Sequence, residues 1–199
     1  MLIRILICTL AGWSGFFVMG VELLGGRLLA PSFGSSIYVW GALITVFMLA
    51  LSIGYLLGGR LSLRAPSLAK LGVLLLLAAL TTLPVLWLAG APLDSLSIAW
   101  PDPRWGSLLA AATLFFVPTV LSGMVSPYCV RLLVEDAGRS GQRAGLLYFV
   151  STFGSAAGTI LTSFYLVLWL EVNQILLTLI GISVLLAIGA ILIGRARHV

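Results

Sequence analysis

Six apolar runs, each long enough to cross a bilayer as a helix, constrain this chain more than any other feature. The hydrocarbon core of a bilayer is about 30 Å thick, and about 20 residues of α-helix span it. Runs of this length form helices, because helices satisfy their own backbone hydrogen bonds in lipid. We therefore predict an all-α, polytopic membrane protein with a single six-helix domain over residues 1–199. The predicted helices are about 5–24, 38–57, 71–88, 107–127, 145–168 and 174–193.

The composition supports a membrane protein. Charged residues make up 9% of the chain, against about 25% in soluble domains. The net charge of +5 does not indicate a nucleic-acid-binding protein, because the basic residues stand singly between apolar runs and form no patch. The first run follows Arg4 but has no small-x-small cleavage site, so we interpret it as a retained helix and not a signal peptide.

The basic residues are distributed unevenly between the two sets of connections. Nine of the eleven Lys and Arg residues fall on one side, Arg104 falls on the other, and Arg27 lies near a membrane boundary. Positive residues concentrate in cytoplasmic loops, so we predict that both termini are cytoplasmic. The nine residues are Arg4, Arg60, Arg64, Lys70, Arg131, Arg139, Arg143, Arg195 and Arg197.

Glu22 and Arg27 stand in an otherwise apolar stretch and are our main candidates for a binding site. Five residues of helix turn their side chains about 140° apart, so they do not form a helical ion pair. Two arrangements follow. The helix ends near Gly25 and Arg27 reaches the outer interface, or both charges face the bundle interior and pair there. We favour partnership at the outer end, and then expect Glu22→Ala to destabilise more than Asp94→Ala.

Two Gly-x-x-x-Gly pairs mark surfaces for close helix packing: Gly54 with Gly58, and Gly154 with Gly158. They indicate packing within the bundle, or alternatively a sliding surface or dimer contact. A short echo, Phe-Gly-Ser at 33–35 and again at 153–155, suggests a duplication of three helices as in repeat-built transporters, or a chance match.

Prolines and aromatic residues leave further alternatives open. Pro84 and Pro118 are expected to kink the third and fourth helices, and carbonyls freed near Pro118 either line a cavity or merely accompany a packing kink. The aromatic residues form a cage for an ammonium group, or a belt at the membrane interface. They are Tyr38, Trp40, Tyr55, Tyr128, Tyr148 and Tyr165.

Catalytic and metal sites are not expected. Cys8 and Cys129 lack the spacing of a metal site, and His198 is the single histidine. We find no paired catalytic carboxylates and no glycine-rich phosphate loop. We therefore predict a protein that is not an enzyme, with no cofactor, no metal and no nucleic-acid partner.

The stretch from Gly20 to Leu61 resembles the membrane domain of bacterial spermidine-synthase-like proteins. The shared features are Glu22, Arg27, the Ala-Pro at 30–31, the Phe-Gly-Ser-Ser at 33–36, Trp40 and the glycine-rich close at 54–60. "SGMVSPYCVRLL" and the fifth run resemble later helices of that domain. The resemblance implies a bacterial inner membrane protein, in which an aminopropyltransferase domain usually follows the helices. No such domain follows here, so we expect any synthase to be encoded separately.

The same architecture resembles one six-helix half of a major facilitator transporter, although the loop "GGRLSLR" lacks that superfamily's aspartate. The resemblance implies a small-solute transport or binding module, for which Glu22, Arg27, Trp40 and Tyr128 are the candidate binding residues. Because six helices are only half of a facilitator, transport would favour a homodimer. The alternative is a non-catalytic anchor or accessory subunit of a larger membrane complex, with the lipid bilayer as its other partner.

Overall fold

The computed structural model describes residues 2–134 and 140–196, and every regular element among them is helical. The first half contains α1 (Leu2–Phe33), α2 (Ile37–Leu61), α3 (Leu68–Thr82) and α4 (Val85–Leu88). A short helix, α5 (Ala91–Ala99), precedes α6 (Pro103–Leu133). The remainder is α7 (Ser140–Leu161), a π-helical turn (Thr162–Leu166), α8 (Val167–Trp169) and α9 (Val172–Ala196).

The all-helical fold class and the six apolar runs are confirmed, because six helical segments are long and apolar enough to cross a membrane. These spans are Ile3–Phe33, Ile37–Leu61, Leu68–Leu88, Pro103–Leu133, Ser140–Trp169 and Val172–Ala196. Each contains the predicted helix and extends beyond it. The positions of Arg139, Arg197 and His198 lie outside the described residues.

The largest error in the predicted boundaries is in the first helix, which we placed at 5–24. α1 runs without interruption through Gly25, Gly26 and Pro31 to Phe33. Both glycines are buried against side chains of neighbouring helices, and this packing outweighs the intrinsic cost of glycine in a helix. The alternative in which the helix ends near Gly25 is therefore wrong.

The prolines act differently from one another. Pro84 separates α3 from α4, as predicted. α6 instead remains helical across both Pro118 and Pro127. The connection between α4 and α6 contains α5, and Leu93 of this helix is buried against the bundle.

The spans pack in a pattern that is unchanged when the first three are exchanged with the last three. α1 packs on α7 and α2 packs on α6, while α3 packs on α9. α3 also contacts α6, and its counterpart α9 contacts α1. Successive spans cross in opposite directions, so α1 and α6 are antiparallel and the two halves form an inverted repeat. α1 and α6 meet in the centre of the bundle.

The apolar core is divided into two clusters along the helix axes. One surrounds Phe47 and Phe115, and the other surrounds Leu71 and Tyr128. Polar groups lie between them: Trp13 Nε1 donates a hydrogen bond to Ser183 Oγ at 2.8 Å, joining α1 to α9. The bundle therefore contains a polar layer between two apolar layers.

Candidate functional site: a serine-lined cavity between the repeats

The two predicted glycine pairs make equivalent contacts in the two halves. A Cβ atom on Gly54 of α2 would meet the backbone of Val120 and Gly123 of α6, and one on Gly58 would meet Met124. On α7, a Cβ on Gly154 would meet the backbone of Gly12 of α1, and one on Gly158 would meet Phe16. Both pairs therefore pack helices within the bundle, and not against a second copy.

These contacts set the register of the repeat. Residues of α7 correspond to residues of α2 numbered 100 lower, so Gly154 matches Gly54 and Gly158 matches Gly58. Residues of α6 correspond to residues of α1 numbered 108 lower, so Met124 matches Phe16. Gly123 follows the same rule and matches Gly15. A Cβ on Gly123 would meet Leu51, and one on Gly15 would meet Ser151, the match of Leu51.

This register explains why the Phe-Gly-Ser echo is misleading. The first copy ends α1 and enters the turn to α2, where Gly34 adopts a φ of +78° that favours glycine. The second copy lies inside α7. The two copies are not equivalent positions, although a three-helix repeat is present.

A cavity of about 70 Å³ lies where α1, α2, α6 and α7 meet. Its lining is almost entirely composed of residues that correspond under the repeat: Ser14 with Ser122, Gly15 with Gly123, Val18 with Ser126, Leu51 with Ser151 and Tyr55 with Ser155. Met19 completes the lining. The cavity therefore lies on the pseudo-two-fold axis of the inverted repeat.

The cavity lies inside the spans, nearer to their ends on the side of the chain termini. Ser14 is 11 residues from the start of its span at Ile3, and Ser122 is 11 residues from the end of its span at Leu133. Eleven residues of helix rise about 16 Å, which is about half the thickness of a bilayer core. The exposed side chain of Tyr55 lies at the rim.

Hydrogen bonds connect the serines to backbone carbonyls. Ser14 Oγ donates to the carbonyl of Ser122 at 3.3 Å, and Ser122 Oγ donates to the carbonyl of Pro118 at 2.9 Å. Ser155 Oγ donates to the carbonyl of Ser151 at 3.1 Å. The hydroxyls of Ser126 and Ser151 are 3.5 Å apart, so one of them donates to the other.

Pro127 supplies a further acceptor. A helical carbonyl normally accepts from the N–H four residues later, and proline has no N–H. The carbonyl of Gly123, which lines the cavity, therefore lacks that donor. The freed carbonyl predicted near Pro118 is that of Leu114, a residue of the apolar core. The proline that frees a carbonyl in the cavity lining is therefore Pro127.

Glu22 lies on the same face of α1 as the cavity lining. It is one turn beyond Val18, and its direction differs from that of Gly15 by about 20°. Helical side chains lean toward the N-terminus of their helix, which directs Glu22 toward Val18 and Met19. Glu22 is half-buried and is the single carboxylate within the six spans of the described chain.

The predicted pair of Glu22 and Arg27 is not formed. Both residues lie in the uninterrupted helix α1, where their side chains point about 140° apart, and Arg27 is exposed. No ion pair or hydrogen bond involves the Glu22 carboxylate within residues 2–134 and 140–196. Glu22 is therefore an unpaired, half-buried carboxylate, and Arg27 is not part of the cavity.

The two predicted aromatic binding residues have different positions. The ring of Trp40 covers Gly26, where a Cβ would fall 2.6 Å from Trp40 Cη2, one turn beyond Glu22. Trp40 therefore closes the cavity face of α1 toward its C-terminal end. Tyr128 is buried elsewhere, in the cluster with Leu71, and its hydroxyl accepts a hydrogen bond from Ser67 N at 3.1 Å. Tyr128 anchors the loop before α3 and does not line the cavity.

The other aromatic residues do not form one cage. Arg104 lies over the ring of Tyr38, 5.0 Å from its centroid. Tyr148 and Tyr165 are exposed on the side of α7 and the π-helical turn. Among the described residues, no group of three or more His, Cys, Asp and Glu side chains is arranged to hold a metal ion.

Sequence reasoning missed the central residues, Ser14, Ser122 and Ser126. Serine is common in helices packed through small residues, so its presence alone indicates nothing. The two glycine pairs, separated by 100 residues in the sequence, indicate only how α2 corresponds to α7. The 108-residue offset that matches Ser14 to Ser122 comes from the helix contacts of the structure.

In comparisons with known proteins, the chain matches no protein-family model, no curated protein and no solved structure.

Proposed function

We propose that this chain is a small-solute binding and transport module of a bacterial cytoplasmic membrane. The observation that carries the proposal is the cavity on the axis of the inverted repeat, lined by serines from both halves, with the unpaired carboxylate of Glu22 one turn beyond the lining on the same face of α1. A cavity that leaves serine hydroxyls open within a membrane bundle costs packing and desolvation, and a binding role gives a reason for that cost.

The position of the cavity supports transport. In transporters built from inverted repeats, the substrate site lies near the bilayer midplane at the repeat interface, and the repeats move about that site. Here the lining comes from α1, α2, α6 and α7, while α3 and α9 pack on one another. The proposal keeps the half-facilitator arrangement that the sequence resembles, in which a homodimer would complete the solute pathway.

The proposed orientation places both termini in the cytoplasm. Its support is the distribution of Lys and Arg, nine of eleven on the side of the termini. The cavity would then lie nearer to the cytoplasmic ends of α1 and α6 than to their outer ends.

A second candidate is an accessory subunit or anchor of a membrane complex, and the packing of the fifth span favours it. In the most apolar window of this span 11% of the residues are buried, against 39–50% in the other five. Phe149 and Phe153 stack on its exposed surface, with ring centroids 6.1 Å apart. A helix packed on one side only suits a partner protein, a second copy or a separately encoded synthase.

The two candidates differ in what is purified with the protein and in what stabilises it. We would purify the tagged protein from its native membrane in mild detergent, determine its mass and composition, and screen small solutes by thermal unfolding. A homodimer whose melting temperature rises saturably with one solute class supports transport, because a ligand that prefers the folded state raises stability. A stoichiometric second protein and no solute response would replace transport with the accessory role.

A further inference from the structure

The polar lining of the cavity consists mainly of hydrogen-bond acceptors. A serine hydroxyl has one hydrogen to donate and two lone pairs to accept with. The hydrogens of Ser14, Ser122 and Ser155 are already donated to backbone carbonyls. Their oxygen atoms are therefore left as acceptors, and the released carbonyl of Gly123 adds another.

The charged group beside the cavity is negative, as are the partial charges on these acceptor oxygens. Glu22 does not itself line the cavity, but it lies one turn beyond Val18 on the same face of α1, and no Lys, Arg or His side chain lines the cavity. Arg27 points away from it on the far side of α1. An ionised carboxylate at this depth needs a counter-charge, since an unpaired charge in a poorly hydrated place is costly.

The size of the cavity limits the ligand. A volume of about 70 Å³ holds a few water molecules or a solute of a few heavy atoms. One carboxylate balances one positive charge. Hydroxyl and carbonyl oxygens are the ligands that hard alkali cations prefer, and they also accept from an ammonium group.

We propose that the cavity binds one small monovalent cation, an alkali metal ion or an ammonium ion, between the serine oxygens and Glu22. This inference rests on the proposed function. It identifies the cation either as the transported solute or as the ion whose movement is coupled to transport. The serines and the Gly123 carbonyl replace the hydration shell, and Glu22 supplies the counter-charge. Trp40 closes the face of α1 beyond Glu22 and separates the ion from the C-terminal end of that helix.

Thermal unfolding of the full chain in nanodiscs tests the proposal. N-methyl-D-glucamine chloride is replaced stepwise by LiCl, NaCl, KCl or NH4Cl at constant ionic strength and pH. We expect at least one cation to raise the melting temperature saturably, by about 5 °C or more at 100 times its Kd, with a clear order among the four. Equal responses to all four salts, or none, would overturn the proposal.

Substitutions at the proposed site test whether the cation binds there. Glu22→Gln should abolish the cation response, whereas Asp94→Asn, which changes a carboxylate on α5, should retain it. Should Glu22→Gln fail to fold, Ser155→Ala serves instead: it should weaken the cation affinity about tenfold, while Ser52→Ala, an exposed serine of α2, leaves it unchanged. An unchanged response in both Glu22→Gln and Ser155→Ala would place the ion elsewhere and refute the site.

A neutral-solute arm separates this inference from the proposed function. The same screen includes small uncharged solutes at fixed cation composition. A response to a neutral solute without any cation selectivity would overturn the cation site and leave solute binding standing. A melting temperature that follows pH alone, and loses that dependence in Glu22→Gln, would identify protonation of Glu22 and also overturn the cation site.

Discussion

The hydroxyl of Ser14 donates a hydrogen bond to the carbonyl of Ser122 at 3.3 Å, and these two serines correspond to one another under the inverted repeat. Their contact therefore lies on the symmetry axis, where α1 and α6 cross. The other serines of the lining, Ser126, Ser151 and Ser155, lie around it, and Glu22 lies one turn beyond the lining on α1.

Close approach of the glycines in both halves predicts matched effects of substitution. Gly54→Ala and Gly154→Ala should each destabilise the bundle by about 1–3 kcal/mol, because the added Cβ would meet backbone of α6 or α1. Gly41→Ala and Gly145→Ala are the controls on the same helices, since a Cβ at either position meets nothing within 4 Å. Melting temperatures in detergent measure the difference. Equal stability of all four variants would contradict the described packing.

The lack of a partner for Glu22 reverses our expectation for its replacement. The predicted pair would have made Glu22→Ala strongly destabilising. Because Arg27 does not depend on Glu22 as a partner, Glu22→Gln should instead raise the free energy of unfolding by about 1 kcal/mol in cation-free buffer, since a desolvated carboxylate is removed. Asp94→Asn should not raise it, since Asp94 accepts a hydrogen bond from Ser32 at 2.7 Å on an exposed surface. Melting temperatures measured without alkali ions compare the two; a loss of stability in Glu22→Gln would show that the carboxylate has a partner.

Tyr128 provides a test of the loop between α2 and α3. Tyr128→Phe removes the acceptor for Ser67 N–H and should cost about 1 kcal/mol. Tyr165→Phe removes an exposed hydroxyl and should cost much less. Chemical denaturation in detergent micelles measures both. A response to small solutes or cations that is lost specifically in Tyr128→Phe would instead place Tyr128 in the binding site, as we first predicted.

The proposed orientation predicts the outcome of reporter fusions. Alkaline phosphatase fused after Ala65 should be inactive, because that loop would be cytoplasmic and reducing. The same reporter fused after Trp100 should be active. The opposite pattern would invert the topology and would contradict the interpretation of the Lys and Arg distribution.

The six spans were predictable because lipid leaves helices as the only solution for long apolar runs. Their ends were not, since α1 and α6 extend beyond the apolar depth by packing against other protein elements, as Phe33 does against Gly106. Glu22 and the four packing glycines were identifiable from residue type alone. Pairing of Glu22 with Arg27 was wrong, because it required Gly25 and Gly26 to break a helix that side-chain packing keeps intact.

The cavity could not be predicted from individual residues. Its serines are recognisable as one site only from the contact between α1 and α6, in which each residue of α6 corresponds to the residue of α1 numbered 108 lower. No local sequence pattern encodes this contact. Pro127 likewise bears on the cavity only because Gly123, four residues earlier, lies in the lining.

Cysteine accessibility tests the central claim, that the serines enclose a hydrated site which solutes can reach. In a Cys8→Ser, Cys129→Ala background, Ser151→Cys is compared with Ser52→Cys, whose side chain is exposed on the lipid-facing surface of α2 next to Leu51, the match of Ser151. Thiols react as thiolates, which form in water and not in lipid. We predict that N-ethylmaleimide modifies Ser151→Cys at least about tenfold faster than Ser52→Cys. Equally slow modification of both would show that the cavity is dry and would contradict the account.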